Sequence, residues 1–293
     1  MSTWLISGAS GLLGHALCRH LRDNGNRVIG LKNSHAIDLK GIETIEVDLV
    51  QSVEPLETLI RNASPDVVVH AAGLTSVDGC ESQEDLASLL HADVSASMAR
   101  AALECSAKMV YISTDHLWRG LDAFVTEQQQ PEPLNAYART KLAGEIQTLA
   151  INPKNLVVRT NFFGKGLAWR QSFSDWVLNS LSSRQEITAF TDAYFTPISL
   201  HYLCLFLEKM VEGDACGVYN VAGSERVSKF DFAVRIAKAF GLDESLIKTG
   251  QLGNANLKAL RPLDMSLSVE KVEQFLGQNM PDLALCFDSL NAE

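Results

Sequence analysis

Through the first half of the chain, short apolar runs alternate with longer amphipathic stretches. The runs lie at Trp4 to Ser7, Arg27 to Leu31, Thr44 to Val47, Asp66 to His70, Met109 to Ser113 and Asn155 to Thr160. Each is short and rich in Val, Ile or Leu, so each predicts a buried strand. Between them, Leu12 to Arg22, Glu54 to Asn62, Ser88 to Cys105 and Tyr137 to Ala150 carry helix-type spacing. This alternation predicts an α/β fold, a doubly wound parallel sheet with right-handed crossovers.

The rhythm loosens after about Thr160. An aromatic, turn-rich stretch, NFFGKGLAWRQSFSDW, precedes a helical stretch from Leu200 to Glu212 and a short strand at Val218 to Val221. Ser228 reads as the N-cap of a helix running to Phe240 with Gly241 ending it, and Ser268 as the N-cap of another that ends at Gly277. Residues 1–160 are therefore expected to form one domain and 161–293 mainly a smaller α+β lobe, with some segments returning to the first. Gln128 to Gln130 reads as solvated loop, and no internal repeat is visible.

Composition narrows the function classes. With 293 residues, 46% of them hydrophobic and 20% charged, the chain can bury roughly three quarters of its extended surface and needs no disulfide or metal staple. Lys and Arg number 25 against 35 Asp and Glu, a net charge of -10. Such a field repels polyanions, so no nucleic acid partner is expected. A small phosphorylated ligand stays compatible, because helix N-termini or a few arginines supply local positive potential. Cys18, Cys80, Cys105, Cys204, Cys216 and Cys286 form no CxxC pair and no zinc spacing. They read as reduced, mostly buried thiols of a cytoplasmic protein without a metal site. The apolar N-terminus lacks a basic flank and is broken by Gly8, Ser10, Gly11 and Gly14, which argues against a signal peptide. No apolar run approaches the roughly 20 residues of a membrane span.

The segment WLISGASGLLGHAL sets Gly8, Gly11 and Gly14 directly after the first predicted strand and at the mouth of the first predicted helix. Glycines there permit a tight turn, let backbone approach a pyrophosphate, and allow the helix to pack close to the sheet. Free N–H groups at the helix start then meet the negative charge. The context predicts an NAD(P)-binding Rossmann domain, and the GxxGxxG spacing points toward short-chain dehydrogenase/reductase-like proteins. The second strand ends in Gly30, Leu31, Lys32 and Asn33, with no acid to bond the ribose hydroxyls of NAD or to repel a 2′-phosphate. Lys32 can pair with that phosphate, so NADPH is expected ahead of NADH; a solvated surface lysine is the competing reading. Asp48 and Leu49, in the VDL after the third strand, are candidate adenine contacts, against the plainer reading of a loop carboxylate.

In PEPLNAYARTKLAGE, Asn135 can cap a helix on which Tyr137 and Lys141 stand four residues apart and so share a face. A phenol has a pKa near 10, too high for neutral-pH acid chemistry, and a neighbouring ammonium favours the phenolate. The pair makes a tunable proton donor. The fifth predicted strand runs into Thr114, and a hydroxyl at that end of an open α/β sheet sits where such sheets bind ligands.

These segments, with VVVHAAGLTSVDGCES, YISTDHLWRG, VVRTNFFG, TPIS, GVYNVAG and ALRP in order along nearly the whole chain, resemble the extended short-chain dehydrogenase/reductases and most closely the dTDP-4-dehydrorhamnose reductase family. The resemblance implies Thr114, Tyr137 and Lys141 as a catalytic trio, with Lys141 also holding the nicotinamide ribose. It implies cofactor contacts from Gly8, Ser10, Gly11, Leu12, Leu13, Gly14, Ala71, Ala72 and Gly73. Substrate contacts would come from Thr75, Val77, Asp115, His116, Phe162 and Arg261, with Phe162 equally readable as ordinary core and Arg261 as a surface arginine. Three positions depart from the family pattern: His116 replaces a Tyr, His91 an Asn and Arg119 an acid. Related dehydratases carry Thr-Asp-Glu at this site; here the third residue is His116, which removes the acid–base group that elimination needs.

The resemblance therefore implies NAD(P)H-dependent reduction of the 4-keto group of a nucleotide-linked 4-keto-6-deoxyhexose, by a protein compatible with a homodimer. Two alternatives stay open: an epimerase of the same fold, and a non-catalytic NAD(P)-binding regulatory subunit like the β subunit of methionine adenosyltransferase.

Overall fold

The computed structural model describes residues 1–51 and 53–290, which divide into two compact units. The first takes residues 1–114, 135–159 and 204–219; the second takes 115–134, 160–203 and 220 onward.

The first unit is built on strands β1 (Thr3–Ser7), β2 (Arg27–Lys32), β3 (Glu43–Glu46), β4 (Val67–His70), β5 (Lys108–Ile112) and β6 (Leu156–Arg159), joined at one edge by a last strand, Gly217–Asn220. From that last strand the order is β6, β5, β4, β1, β2, β3, and β1 to β6 pair in parallel. The helices are α1 (Leu12–Asp23), α2 (Val53–Ala63), α3 (Val77–Ser82), α4 (Glu84–Ser88), α5 (Val94–Glu104) and α6 (Ala136–Ile151). Central strands such as β4, VVVH, are buried at every residue, which is why they appear in the sequence as unbroken apolar runs. Leu5, Ile29, Leu31, Val68 and Met109 of the sheet pack against Leu56 and Ile60 of α2 and Met98 of α5. Each such side chain contributes roughly 1.5–3 kcal/mol on leaving water.

Two expectations are corrected here. The run Thr44 to Val47 was expected to be a buried strand, but β3 is largely exposed because it is the outermost strand, with β2 on one side only. The helix expected from Ser88 to Cys105 starts earlier and is broken: a π turn, Leu89–Asp93, separates α4 from α5.

Because the strands are parallel, their C-terminal ends share one edge. Ser7, Lys32, Glu46, His70 and Ile112 all end strands there, and the direction of winding switches between β1 and β4. Open α/β sheets bind ligands at that place.

The second unit contains α7 (Phe173–Ser182), the start of α8 (Leu200–Glu212), α9 (Lys229–Ala239), α10 (Glu270–Leu276), α11 (Leu283–Leu290) and several two- to four-residue strands. Phe232 is its hub, with ring centroids of Phe163, Phe173, Phe195 and Phe287 at 5.0, 5.4, 5.5 and 5.5 Å. Ser228 caps α9 by accepting from the Asp231 amide at 2.9 Å, and Gly241 and Gly277 take the left-handed conformation after their helices. The Ser268 cap is overturned. Its amide donates to the Val125 carbonyl and its own carbonyl accepts from Asn220, and the N-cap of α10 falls one residue later, at Val269, without a side-chain hydrogen bond.

Among the described residues, none of the six cysteines is joined in a disulfide. Among the described residues no helix is long and apolar enough to cross a membrane, and no cluster of His, Cys, Asp and Glu is arranged to hold a metal ion.

Candidate active site

The turn from β1 into α1 closes on itself, with the Gly11 amide donating to the Gly8 carbonyl at 2.8 Å. Gly8 has φ +70, and a Cβ there would lie 2.7 Å from the Ala72 amide nitrogen. Only glycine satisfies both constraints. Gly11 caps α1 without a side chain, so no side chain occupies the first-turn amides of the helix. A 12-residue helix with an uncapped N-terminus beside a turn lacking Cβ atoms suits a pyrophosphate. Ser10, Leu12, Leu13 and Gly14 line the same turn, Leu13 and Gly14 with buried side faces. The Ala9 amide donates to the Leu31 carbonyl at 3.1 Å, tying the turn to the end of β2. Lys32, one residue on, is paired with Glu46. Asp48 accepts from the Val50 amide at 2.9 Å, a bond within its own loop, and Leu49 is partly buried against the core.

Asn135 caps α6 by accepting from the Ala138 amide at 2.9 Å, and Glu81 takes the Ala136 amide. That start places Tyr137 in the first turn with Lys141 one turn behind on the same face. Lys141 is 6% exposed; its Nζ donates to the Ile112 carbonyl at 2.5 Å and stands 4.2 Å from the Tyr111 ring centroid. Burial brings its pKa down to about 7, while the charges of Glu145 and Cys80 favour the proton. Two residues past Ile112 comes Thr114, which is buried. Tyr137 is half-buried against the cluster of Cys80, Ala87 and Ala136, with its ring edge-on to His91 at 5.8 Å. Lys141 is thus joined directly to the strand that delivers Thr114, and Tyr137 shares its helix face.

Behind this face lie residues to which the sequence reading gives no role, together with His91, which it marks as a departure from the family pattern. Glu145, a further turn along α6, accepts from Ser113 Oγ at 2.5 Å and from Arg159 Nη2 at 2.7 Å, and both charged groups are buried. Its spacing from Lys141 was the one available signal; Arg159, at the end of β6, offers none. Ser7 Oγ donates to His70 Nδ1 at 2.7 Å, and His70 Nε2 donates to the Leu90 carbonyl at 2.9 Å. This chain links the residue before Gly8 to the π turn. His91, in that turn, contacts Thr140 Oγ1 through Nδ1 at 2.8 Å and packs on Gly73. A Cβ on Gly144 would lie 2.2 Å from the His91 carbonyl oxygen, so only glycine lets α6 approach the π turn this closely.

Burial lowers the pKa of His70 to about 4 and of His91 to about 2, with the Lys141 charge adding to both shifts. Both rings are therefore neutral when folded, and below pH about 6.5 the unfolded chain binds more protons than the folded one. Stability rises with pH across that window and is lost on acidification. The two rings together are expected to remove up to about 3 kcal/mol per pH unit between roughly pH 6 and 4, with His91 continuing below. Urea unfolding at pH 6.5 and 5 checks this: a His70→Gln, His91→Asn double variant is expected to lose most of the difference.

The substrate candidates fall in both units. In the first, Thr75 is exposed just before α3, and Val77 is the first residue of that helix, capped by Ser76. In the second, Asp115 is buried and accepts from Asn161 Nδ2 at 2.5 Å, with His116 Nε2 at 3.9 Å. Lys229, missed in the sequence, sits over the Phe195 ring at 3.2 Å; burial lowers its pKa to about 8 while Asp115 favours its proton. Burial also lowers the His116 pKa, aided by the charges of Lys229 and Arg261. Arg261 Nη1 donates to the Ala259 carbonyl at 2.7 Å. Phe162 is partly exposed and pairs with Ile198 in a two-stranded sheet.

Comparison with known proteins gives one family. The RmlD substrate binding domain family matches residues 2–287. "Probable low-salt glycan biosynthesis reductase Agl14" of Haloferax volcanii is 29% identical over 95% of this chain and 93% of its own. The rat methionine adenosyltransferase 2 subunit beta is 29% identical over 94% of this chain and 84% of its own. Among solved structures, a hypothetical dTDP-4-dehydrorhamnose reductase from Sulfolobus tokodaii is 31% identical, covers 97% of each chain and superposes with a TM-score of 0.85.

Proposed function

The chain belongs to the RmlD substrate binding domain family, and on that footing we propose that it is an NAD(P)H-dependent ketoreductase acting on the 4-keto group of a nucleotide-linked 4-keto-6-deoxyhexose. The observation that carries this reading is the bond from Lys141 Nζ to the Ile112 carbonyl. It fastens the helix bearing Tyr137 to the strand delivering Thr114, at the sheet edge shared with the glycine turn.

In this reading the Gly8 to Gly14 turn and Ala71, Ala72 and Gly73 hold the coenzyme, which supplies the hydride when bound. Tyr137 donates its phenolic proton to the oxygen of the reduced carbonyl, and Thr114 hydrogen-bonds the same oxygen so that charge developing there meets two donors. Lys141 steadies the tyrosinate by charge and bonds the nicotinamide ribose. With a pKa near 7, its ammonium exchanges protons readily at neutral pH. Thr75, Val77, Asp115, His116 and Phe162 are proposed to contact the nucleotide-sugar, with Arg261 as its phosphate clamp.

A second reading is favoured by one observation, the similarity to the methionine adenosyltransferase 2 subunit beta: a subunit that keeps the coenzyme pocket without turnover. The two separate on supplying dTDP-, UDP- and GDP-linked 4-keto-6-deoxy sugars with NADPH or NADH. The reductase consumes coenzyme with at least one of them; a protein that consumes none with any and binds stably to another protein is the subunit.

A further inference from the structure

Lys32, the last residue of β2, lies in register with Glu46, the last residue of β3. Its Nζ donates to Glu46 Oε2 at 2.7 Å. The residue before it, Leu31, accepts from the Ala9 amide in the glycine turn, so the ion pair stands directly beside that turn. In dinucleotide-binding sheets the end of the second strand meets the 2′ position of the adenosine ribose. Most such sites present there either an acid for a 2′-hydroxyl or a cation for a 2′-phosphate. This chain presents a cation whose charge is already matched.

The consequence is electrostatic. A 2′-phosphate brings up to two negative charges. To reach the Lys32 ammonium it must share it with Glu46 and sit near a carboxylate of like sign. Lys32 holds that carboxyl below the usual range, chiefly through their hydrogen bond, so Glu46 stays ionised at neutral pH. A 2′-hydroxyl meets a neutral pair instead and suffers no repulsion.

We propose that Glu46 determines coenzyme preference in this protein: by occupying Lys32 it blunts selection for the 2′-phosphate and keeps NADH usable beside NADPH. This rests on the coenzyme-binding part of the reading above and not on the identity of the sugar.

The test is direct titration of NADPH and NADH, by fluorescence, into the wild-type protein, Glu46→Gln and Lys32→Met, at low fixed salt and without any sugar. Glu46→Gln is expected to tighten NADPH roughly two- to fivefold, the range an exposed ion pair supports, and to leave NADH unchanged. Lys32→Met is expected to weaken NADPH roughly tenfold and to leave NADH unchanged. The proposal is overturned if Glu46→Gln moves both coenzymes equally or moves neither. It is also overturned if Lys32→Met leaves NADPH binding unchanged. Since no sugar is present, this outcome is independent of whether the ketosugar assignment stands.

Discussion

Tyr137→Phe is expected to lower kcat by roughly 10²- to 10⁴-fold, the usual share of a positioned general acid, while NADPH binds within about twofold of wild type. The substitution removes one oxygen and keeps the ring, which packs against the cluster of Cys80, Ala87 and Ala136 and meets His91 edge-on. Helix α6 therefore keeps its place, and the Lys141 bond to Ile112, which does not involve the phenol, persists. Only the proposed proton donor is lost. Steady-state rates beside a coenzyme titration separate the two effects; a variant with full kcat removes Tyr137 from the chemistry.

The second large effect concerns the support behind the site. Glu145 and Arg159 have side chains 3% and 4% exposed and meet at 2.7 Å. Removing one partner strands the other charge in a low-dielectric interior, at a cost of about 3–5 kcal/mol. Arg159→Met is expected to show that loss in urea unfolding, whereas a Glu145→Leu, Arg159→Met double variant is expected to recover most of it, because neither charge of the pair is left without the other. The double variant should still differ functionally. The Glu145 charge favours the proton on Lys141, so without it the Lys141 pKa falls below about 7, and the pH–rate profile shifts to lower pH even where stability is restored.

How much of this was legible in the sequence follows from the range of the forces involved. Strands β1, β4 and β5 are short and buried on both faces, so their apolar runs mark them plainly. Strand β3 misled because its position at the sheet edge depends on topology, which a local run of Thr, Ile and Val does not encode. The glycine turn, Tyr137 and Lys141 were legible because a helix start and an i, i+4 spacing are local geometry. The π turn was not: it is stabilised by distant groups, Tyr111 donating to the His91 carbonyl and His70 to that of Leu90. For the same reason Arg159 and Lys229 escaped notice, since their partners, Glu145 and the Phe195 ring, come from other segments of the chain. Lys32 was seen as a free cation for a phosphate, and Glu46 became its partner only when β2 and β3 paired.

The central claim is that Tyr137, Thr114 and Lys141 serve hydride transfer to a sugar carbonyl. It is tested most directly by incubating the protein with NADPH deuterated at the transferring position of the nicotinamide and a nucleotide-linked 4-keto-6-deoxyhexose, then analysing both products by mass spectrometry. The account predicts one deuterium on the newly formed carbinol carbon for each NADPH oxidised. Sugar recovered without deuterium, with the label still on the nucleotide, would contradict it.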